Sequence, residues 1–164
     1  MIFITVGTEK FPFDRLLKAV DEALKNKKIQ EEIFAQIGNS NYRPQLFLYK
    51  EYIDFDEMVK FINQSDIVVG HAGIGTTLLC LNLGKIPILF PRNATLGEHL
   101  DNHQIEFARR MDMLNKVLVA YTEKELIYKI KNYKNIVAQL KPSLVGSSKN
   151  GLINYLRNIC NQKD

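Results

Sequence analysis

The sequence predicts an α/β fold, a doubly wound, mostly parallel sheet of Rossmann type, in a single unit over residues 1–164. Short apolar runs with β-branched residues, such as Ile2–Val6, alternate with amphipathic helical stretches along the chain. Glycine and small polar residues follow several of these runs, as they do where strands end in turns. No Gly/Ser linker and no internal repeat interrupts the alternation. A strand, helix, strand pattern of this kind winds around one parallel sheet.

Ile2–Val6 reads as a buried strand ended by Gly7. Phe13–Leu24 follows as a helix, with Phe13, Leu16, Leu17, Val20 and Leu24 on one stripe. Ile33–Ile37 and Leu46–Tyr49 are the next strands, separated by the turn-forming stretch from Gly38 to Pro44. Asp54–Asn63 is a helix with Met58, Val59 and Ile62 facing inward. Ile67–Val69 is a strand, Thr76–Leu83 a helix, and Ile86–Phe90 a strand closed by Pro91. Glu98–Met111 is a longer helix, Lys116–Val119 a strand and Thr122–Leu140 a helix, with Thr122 and Glu125 at capping-box spacing. A terminal helix over about 147–160 places Leu152, Ile153, Leu156 and Ile159 at helical spacing, fit to pack on the domain or on a partner.

With 164 residues, 46% of them hydrophobic and 24% charged, the chain has enough apolar material for its own core. No apolar run approaches the ~20 residues that span a bilayer. The N-terminus lacks the basic start and long apolar stretch of a signal peptide, so a cytoplasmic location is expected. The net charge of +4, with one short basic group at Lys25, Lys27 and Lys28, is too weak for a nucleic-acid binder. It suits an anionic ligand or a nearby anionic membrane surface. Cys80 and Cys160 fall on predicted helices outside any metal-ligand spacing and read as reduced core thiols.

In an open parallel sheet, ligands bind beyond the carboxyl ends of the strands. Gly7 with Thr8, Gly38 with Asn39, and Gly70 through Thr77 gather there. In the last group, strand Ile67–Val69 runs into Gly70, Gly73 and Gly75 and opens a helix at Thr76. Free backbone N–H groups and the positive helix end then meet at one spot, as a diphosphate requires, and Thr76 and Thr77 add hydroxyls. A tight turn alone would need fewer glycines. The loop is neither a P-loop nor a dinucleotide fingerprint. A second cluster follows strand Ile86–Phe90: Arg92, then Glu98, His99, Asp101, Asn102, His103 and Gln104. Such side chains read sugar hydroxyls, although capping of a helix start would also use several of them. With His71, all three histidines of the chain lie at these sites. Their spacing matches no usual zinc pattern, so no metal is expected.

Gly70-His-Ala-Gly-Ile-Gly-Thr76, Gly84-Lys-Ile-Pro87 and Asp101-Asn-His-Gln104 resemble the C-terminal domain of the family-28 glycosyltransferases. Thr5-Val-Gly-Thr8 with Phe13-Asp14, and Gln36-Ile-Gly-Asn39, fit the same pattern, and the likeness runs to roughly residue 140. It is strongest to the short catalytic subunits of split enzymes. These include bacterial exopolysaccharide and capsule β-1,4-galactosyltransferase subunits, and the cytosolic subunit of the dolichol-pathway N-acetylglucosaminyltransferase. Gly97-Glu-His99 and Lys85-Ile-Pro-Ile88 followed by Pro91-Arg92 look most like the bacterial group.

The resemblance implies the donor half of a GT-B enzyme divided between two chains. It binds a UDP-sugar, with no metal or other cofactor, and transfers a hexose by inversion to a polyprenyl-diphosphate-linked saccharide. A membrane-anchored partner subunit would hold that acceptor and keep this chain at the inner face of the membrane. Carried over, Gly7 and Thr8 line the diphosphate region, Phe55 offers backbone contacts to uracil, and Gly73, Gly75, Thr76 and Thr77 approach the phosphates. Gln104 reads the sugar with Asp101 and Asn102 beside it, Arg92 or His71 assists electrostatically, and His99 or Glu98 is the local candidate for general base. Leu79 stands where several relatives carry a ribose-binding Glu. That difference favours galactose and exopolysaccharide or capsule synthesis over N-acetylglucosamine. The rival readings are an N-acetylglucosaminyltransferase subunit, a non-catalytic nucleotide-binding subunit, and a sugar-nucleotide epimerase, for which the chain is short.

Overall fold

The computed structural model describes residues 1–144, and the side chains through residue 140; the helix expected over 147–160 and Cys160 lie outside the described residues. Along the chain come β1 (Ile2–Thr5), α1 (Asp14–Lys25), β2 (Ile33–Gln36), β3 (Leu48–Lys50), α2 (Phe55–Gln64), β4 (Ile67–Gly70) and α3 (Ile74–Asn82). Then follow β5 (Ile88–Leu89), a 3-10 turn (Ala94–Leu96), α4 (His103–Met113), β6 (Leu118–Val119), α5 (Glu123–Lys131) and α6 (Tyr133–Leu144). The strands form one sheet in the order β3-β2-β1-β4-β5-β6, and every pairing is parallel. The strand order reverses between β1 and β4, the switch point where a crevice opens at the carboxyl edge.

Side-chain alternation divides the core cleanly. Ile2 and Ile4 of β1, Ile67 and Val69 of β4, Ile88 and Leu118 point to one face, which α1, α5 and α6 cover with Leu16, Leu17, Val20, Leu126, Ile130 and Tyr133. Phe3 and Val68 point to the other face, where Ile62 of α2 and Cys80 of α3 meet them. Phe61 stacks there on Phe34, ring centroids 4.0 Å apart, and on Phe3 at 5.4 Å. Leu89 and Val119 join Phe107, Ala108 and Met111 of α4 on the same side. Burial holds the Cys80 thiol up at about 12, so it is an unreactive core group.

Strand Lys116–Val119 is found as Leu118–Val119 and Leu46–Tyr49 as Leu48–Lys50, and four further elements differ from expectation, each for a local reason. Strand Ile86–Phe90 shrinks to Ile88–Leu89, because Pro87 and Pro91 have no N–H for the ladder. The helix expected over Thr122–Leu140 breaks at Asn132, whose amide donates to the Tyr128 carbonyl at 2.8 Å. The break lets Tyr133 turn into the core and donate to the Ile86 carbonyl at 2.6 Å. The start at Thr122 is as expected: its hydroxyl accepts from Glu125 N, while Glu125 reaches back to Tyr121 N. The helix expected from Glu98 begins only at His103, because Glu98 is drawn into the interior. The helix expected from Thr76 begins at Ile74, which puts Gly75 inside its first turn.

The crossover from β2 to β3 has no helix, so its backbone needs other partners. Two α1 carboxylates, seven residues apart and on one helical face, supply them. Asp14 accepts from the N–H groups of Asn41 and Tyr42. Buried Asp21 accepts from the N–H groups of Gln45 and Leu46 and, at 2.6 Å, from the Tyr42 hydroxyl.

Candidate functional site

The crevice floor is built by packing a histidine between two glycines. His71 follows β4 and is 6% exposed. A Cβ on Gly7 would lie 2.5 Å from its Cε1 and Nε2, and a Cβ on Gly73 would lie 2.7 Å from Cε1 and nearer still to Nε2. Gly7 also needs its φ of +77°, in the left-handed region. Gly73 has an ordinary backbone, so its need for glycine is purely steric. The left-handed residue of the β4–α3 loop is Ala72, at φ 64°, and not one of the glycines.

Beyond His71, Gly73 caps α3 with no side chain, so the first-turn N–H groups face the crevice uncapped. Ile74 and Gly75 are exposed and Thr76 is half-buried. The Thr77 hydroxyl, expected as a ligand donor, is spent on the Gly73 carbonyl at 2.8 Å and is buried. Leu79 lies partly buried against the Phe3–Ile62 cluster between α2 and α3.

Burial, together with the Arg92 charge nearby, pulls His71 down to about 4, so it is neutral at physiological pH. Its Nδ1 lies 3.4 Å from the Thr5 carbonyl. The unfolded chain binds this proton near 6.5, the folded chain only near 4. Between those values the unfolded state holds more protons, so stability falls as pH drops below 6.5. From pH 6.5 to 4.5 the wild type is expected to lose about 2–3 kcal/mol more than His71→Gln. Urea midpoints across that range measure the difference; equal slopes for the two proteins would refute it.

Gln36, which sequence reading placed in a motif without a role, organises the crevice edge. It is 1% exposed; its oxygen accepts from the Thr5 hydroxyl at 2.7 Å and Gly7 N at 3.1 Å. Its amide donates to the carbonyls of Gly7 and Glu51. Gly38 follows at φ +48°, close under the Gly7 carbonyl. Asn39 donates to the Glu9 carbonyl and accepts from the Tyr52 hydroxyl, tying exposed Thr8 and Glu9 to the start of α2. Phe55, the first residue of α2, is 69% exposed.

The polar cluster after β5 is mostly internal scaffolding. Arg92, expected to touch substrate, is 1% exposed and stacked 4.8 Å from the Phe13 ring centroid. Its NH1 donates to the carbonyls of Phe11, Pro12 and Glu98, and its NH2 to Val6. Burial brings it down to about 10, which leaves it charged. Glu98, expected as a general base, is 6% exposed and grips Arg15 with both oxygens, at 2.8 and 2.9 Å, while accepting from Asn93 N. Neither side chain is free to meet a substrate. The partner of Glu98, Arg15, lies on α1 away from the apolar stripe, where it reads as an ordinary surface cation, although its side chain is only 18% exposed.

His99, Asp101, Asn102, His103 and Gln104 stay at the crevice rim. His99 is half-buried against Phe11, centroids 5.6 Å apart, with Nδ1 3.2 Å from Asp101. Asp101 caps α4 by accepting from His103 N at 3.0 Å and lies 2.7 Å from the His103 ring. Those bonds hold its carboxyl below the usual range. Asn102 accepts from Ala94 N. Gln104 accepts from Arg92 N at 3.2 Å through its oxygen, and its NH₂ group has no partner among the described residues. Among the described residues no three His, Cys, Asp or Glu side chains converge as a metal site would require.

A six-stranded, all-parallel sheet whose strand order reverses at one switch point defines a doubly wound α/β domain of Rossmann type. Residues 1–147 match the glycosyltransferase family 28 C-terminal domain, and the chain belongs to that family. UDP-N-acetylglucosamine transferase subunit ALG13 of Homo sapiens is 31% identical over 119 residues, 67% of this chain and 10% of that protein. The subunit of the same name from Candida albicans is 34% identical over 97 residues, 59% of this chain and 30% of that protein. The chain thus spans less than a third of either relative. Among solved structures, the glycotransferase of kitacinnamycin shares the fold, with a TM-score of 0.63 at 14% identity over 86% of this chain and 37% of that one.

Proposed function

We propose that this chain is the donor-binding subunit of a two-chain inverting glycosyltransferase that uses UDP-N-acetylglucosamine. The observation that carries the reading is the uncapped α3 N-terminus beside neutral His71, at the switch point of a family-28 domain. Its N–H groups and dipole suit the negative charge that grows on a UDP leaving group. With His71 neutral, the imidazole adds no charge, and the attraction for a diphosphate falls to the α3 amides and dipole.

Galactose and an exopolysaccharide or capsule setting, favoured by the sequence, have no support from the relatives, whose names specify N-acetylglucosamine. The same names describe a subunit, which supports a partner chain here. In this reading a membrane-anchored partner holds a polyprenyl-linked saccharide acceptor and keeps this chain at the inner membrane face, and no metal takes part. With Glu98 committed to Arg15, the general base is His99 or a group of the partner.

Titration of the purified chain with UDP, UDP-N-acetylglucosamine, UDP-galactose and GDP tests this. Saturable uridine binding is expected, tightest for UDP-N-acetylglucosamine. Gln104→Ala should weaken the sugar nucleotide about tenfold, the worth of one buried hydrogen bond, and leave UDP nearly unchanged. No uridine binding, alone or with the partner subunit, would overturn the proposal.

A further inference from the structure

A groove of about 720 Å³ opens between α1 and α5, on the sheet face opposite α2, α3 and α4. Ala19 and Ala23, one helical turn apart on α1, leave the furrow, and Ile127 and Tyr128 of α5 close its other side. The rim is cationic: Lys18, Lys28, Lys124 and Lys131 are all exposed. Among the described residues, Lys28, Lys124 and Lys131 have no ion pair, and Lys18 has one, with Asp14 at 4.0 Å, besides lying 5.6 Å from the Tyr42 ring centroid.

The carboxylates of these helices do not offset that rim. Asp14 and Asp21 serve the β2–β3 crossover, Glu125 accepts from Tyr121 N, and Glu123 lies 3.7 Å from Arg15. Glu22 is the one other carboxylate on the groove wall.

We propose that this groove seats the headgroups of anionic phospholipids, so that the chain itself lies against a membrane. Charge complementarity carries the choice of occupant. Lysine stems flank an apolar floor with their ammonium groups outward, and Tyr128, 61% exposed, stands at the rim as an amphipathic side chain does at a bilayer interface. Ala19, Ala23 and Ile127 make the floor apolar, and the rim lysines supply the cations that headgroup phosphates need. Arg15 closes one end of the groove and also grips Glu98, the buried residue just before the rim residues His99 to Gln104. A membrane seated here therefore meets the edge of the candidate site, where a lipid-linked acceptor would arrive. The proposal does not depend on which nucleotide sugar the crevice binds.

Cosedimentation of the full chain with vesicles tests it. Binding is expected to phosphatidylglycerol/phosphatidylcholine vesicles, not to pure phosphatidylcholine, and to weaken as salt rises. Lys124→Glu with Lys131→Glu should weaken it by about tenfold or more, at an unchanged melting temperature. Lys60→Glu with Arg110→Glu, the same charge change on the opposite face, should bind like wild type. The proposal falls if anionic vesicles do not bind at low salt, or if the control pair loses as much. Binding of polyglutamate through Lys124 and Lys131, without vesicle binding, would assign the groove to an acidic protein instead.

Discussion

Arg92→Leu is expected to cost about 3–5 kcal/mol or more, against a total stability of about 5–15 kcal/mol for a domain. The leucine fills part of the volume but leaves the carbonyls of Val6, Phe11, Pro12 and Glu98 without their donor in a buried place. Three segments lose their common tie at once: the end of β1, the entry to α1, and the turn before α4. Stacking on Phe13 is lost with them. At 2–4 °C per kcal/mol for a chain of this length, the melting temperature should fall by roughly 6–20 °C. Arg92→Lys should recover only part of this, because an ammonium has no planar fork to span four carbonyls. Thermal and urea unfolding measure both variants. A leucine variant that melts with the wild type would show that these carbonyls find other partners.

Arg92 also marks where the sequence stops being legible. The sheet could be read because apolar runs such as Ile2–Val6 and Ile67–Val69 must be buried on both faces, and nothing else suits such residues. The crevice could be read because strand ends with glycine fall at one edge. The cluster from Arg92 to Gln104 could not be sorted. A polar residue looks the same in sequence whether it faces a ligand or an internal partner. Glu98 turns inward because Arg15, more than eighty residues earlier, waits there, and no local periodicity encodes that pairing. Gln36 was hidden for the same reason, since its four bonds go to residues of two other segments. Asn132 was hidden by continuous apolar spacing across a break that a single side-chain bond makes.

Gly73→Ala and Gly75→Ala should part sharply, although the residues are two apart in one motif. At Gly73 the added methyl would enter the His71 ring, which is buried and cannot swing to solvent without opening the crevice floor. Overpacking of this kind costs about 1–3 kcal/mol, and because His71 also packs on Gly7, both walls of the crevice move with it. Nucleotide binding should fall at least tenfold. At Gly75 a Cβ meets nothing within 4 Å, and the position lies within α3. Alanine there should leave stability unchanged or raise it by up to about 1 kcal/mol. Its effect on UDP affinity then reports only how closely the ligand approaches the helix start, because the fold is not disturbed. Restoring room at Gly73→Ala by the second change His71→Ala should recover stability but not binding if the imidazole itself shapes the diphosphate seat. Should stability and binding return together, His71 is a spacer, and the α3 amides alone hold the anion.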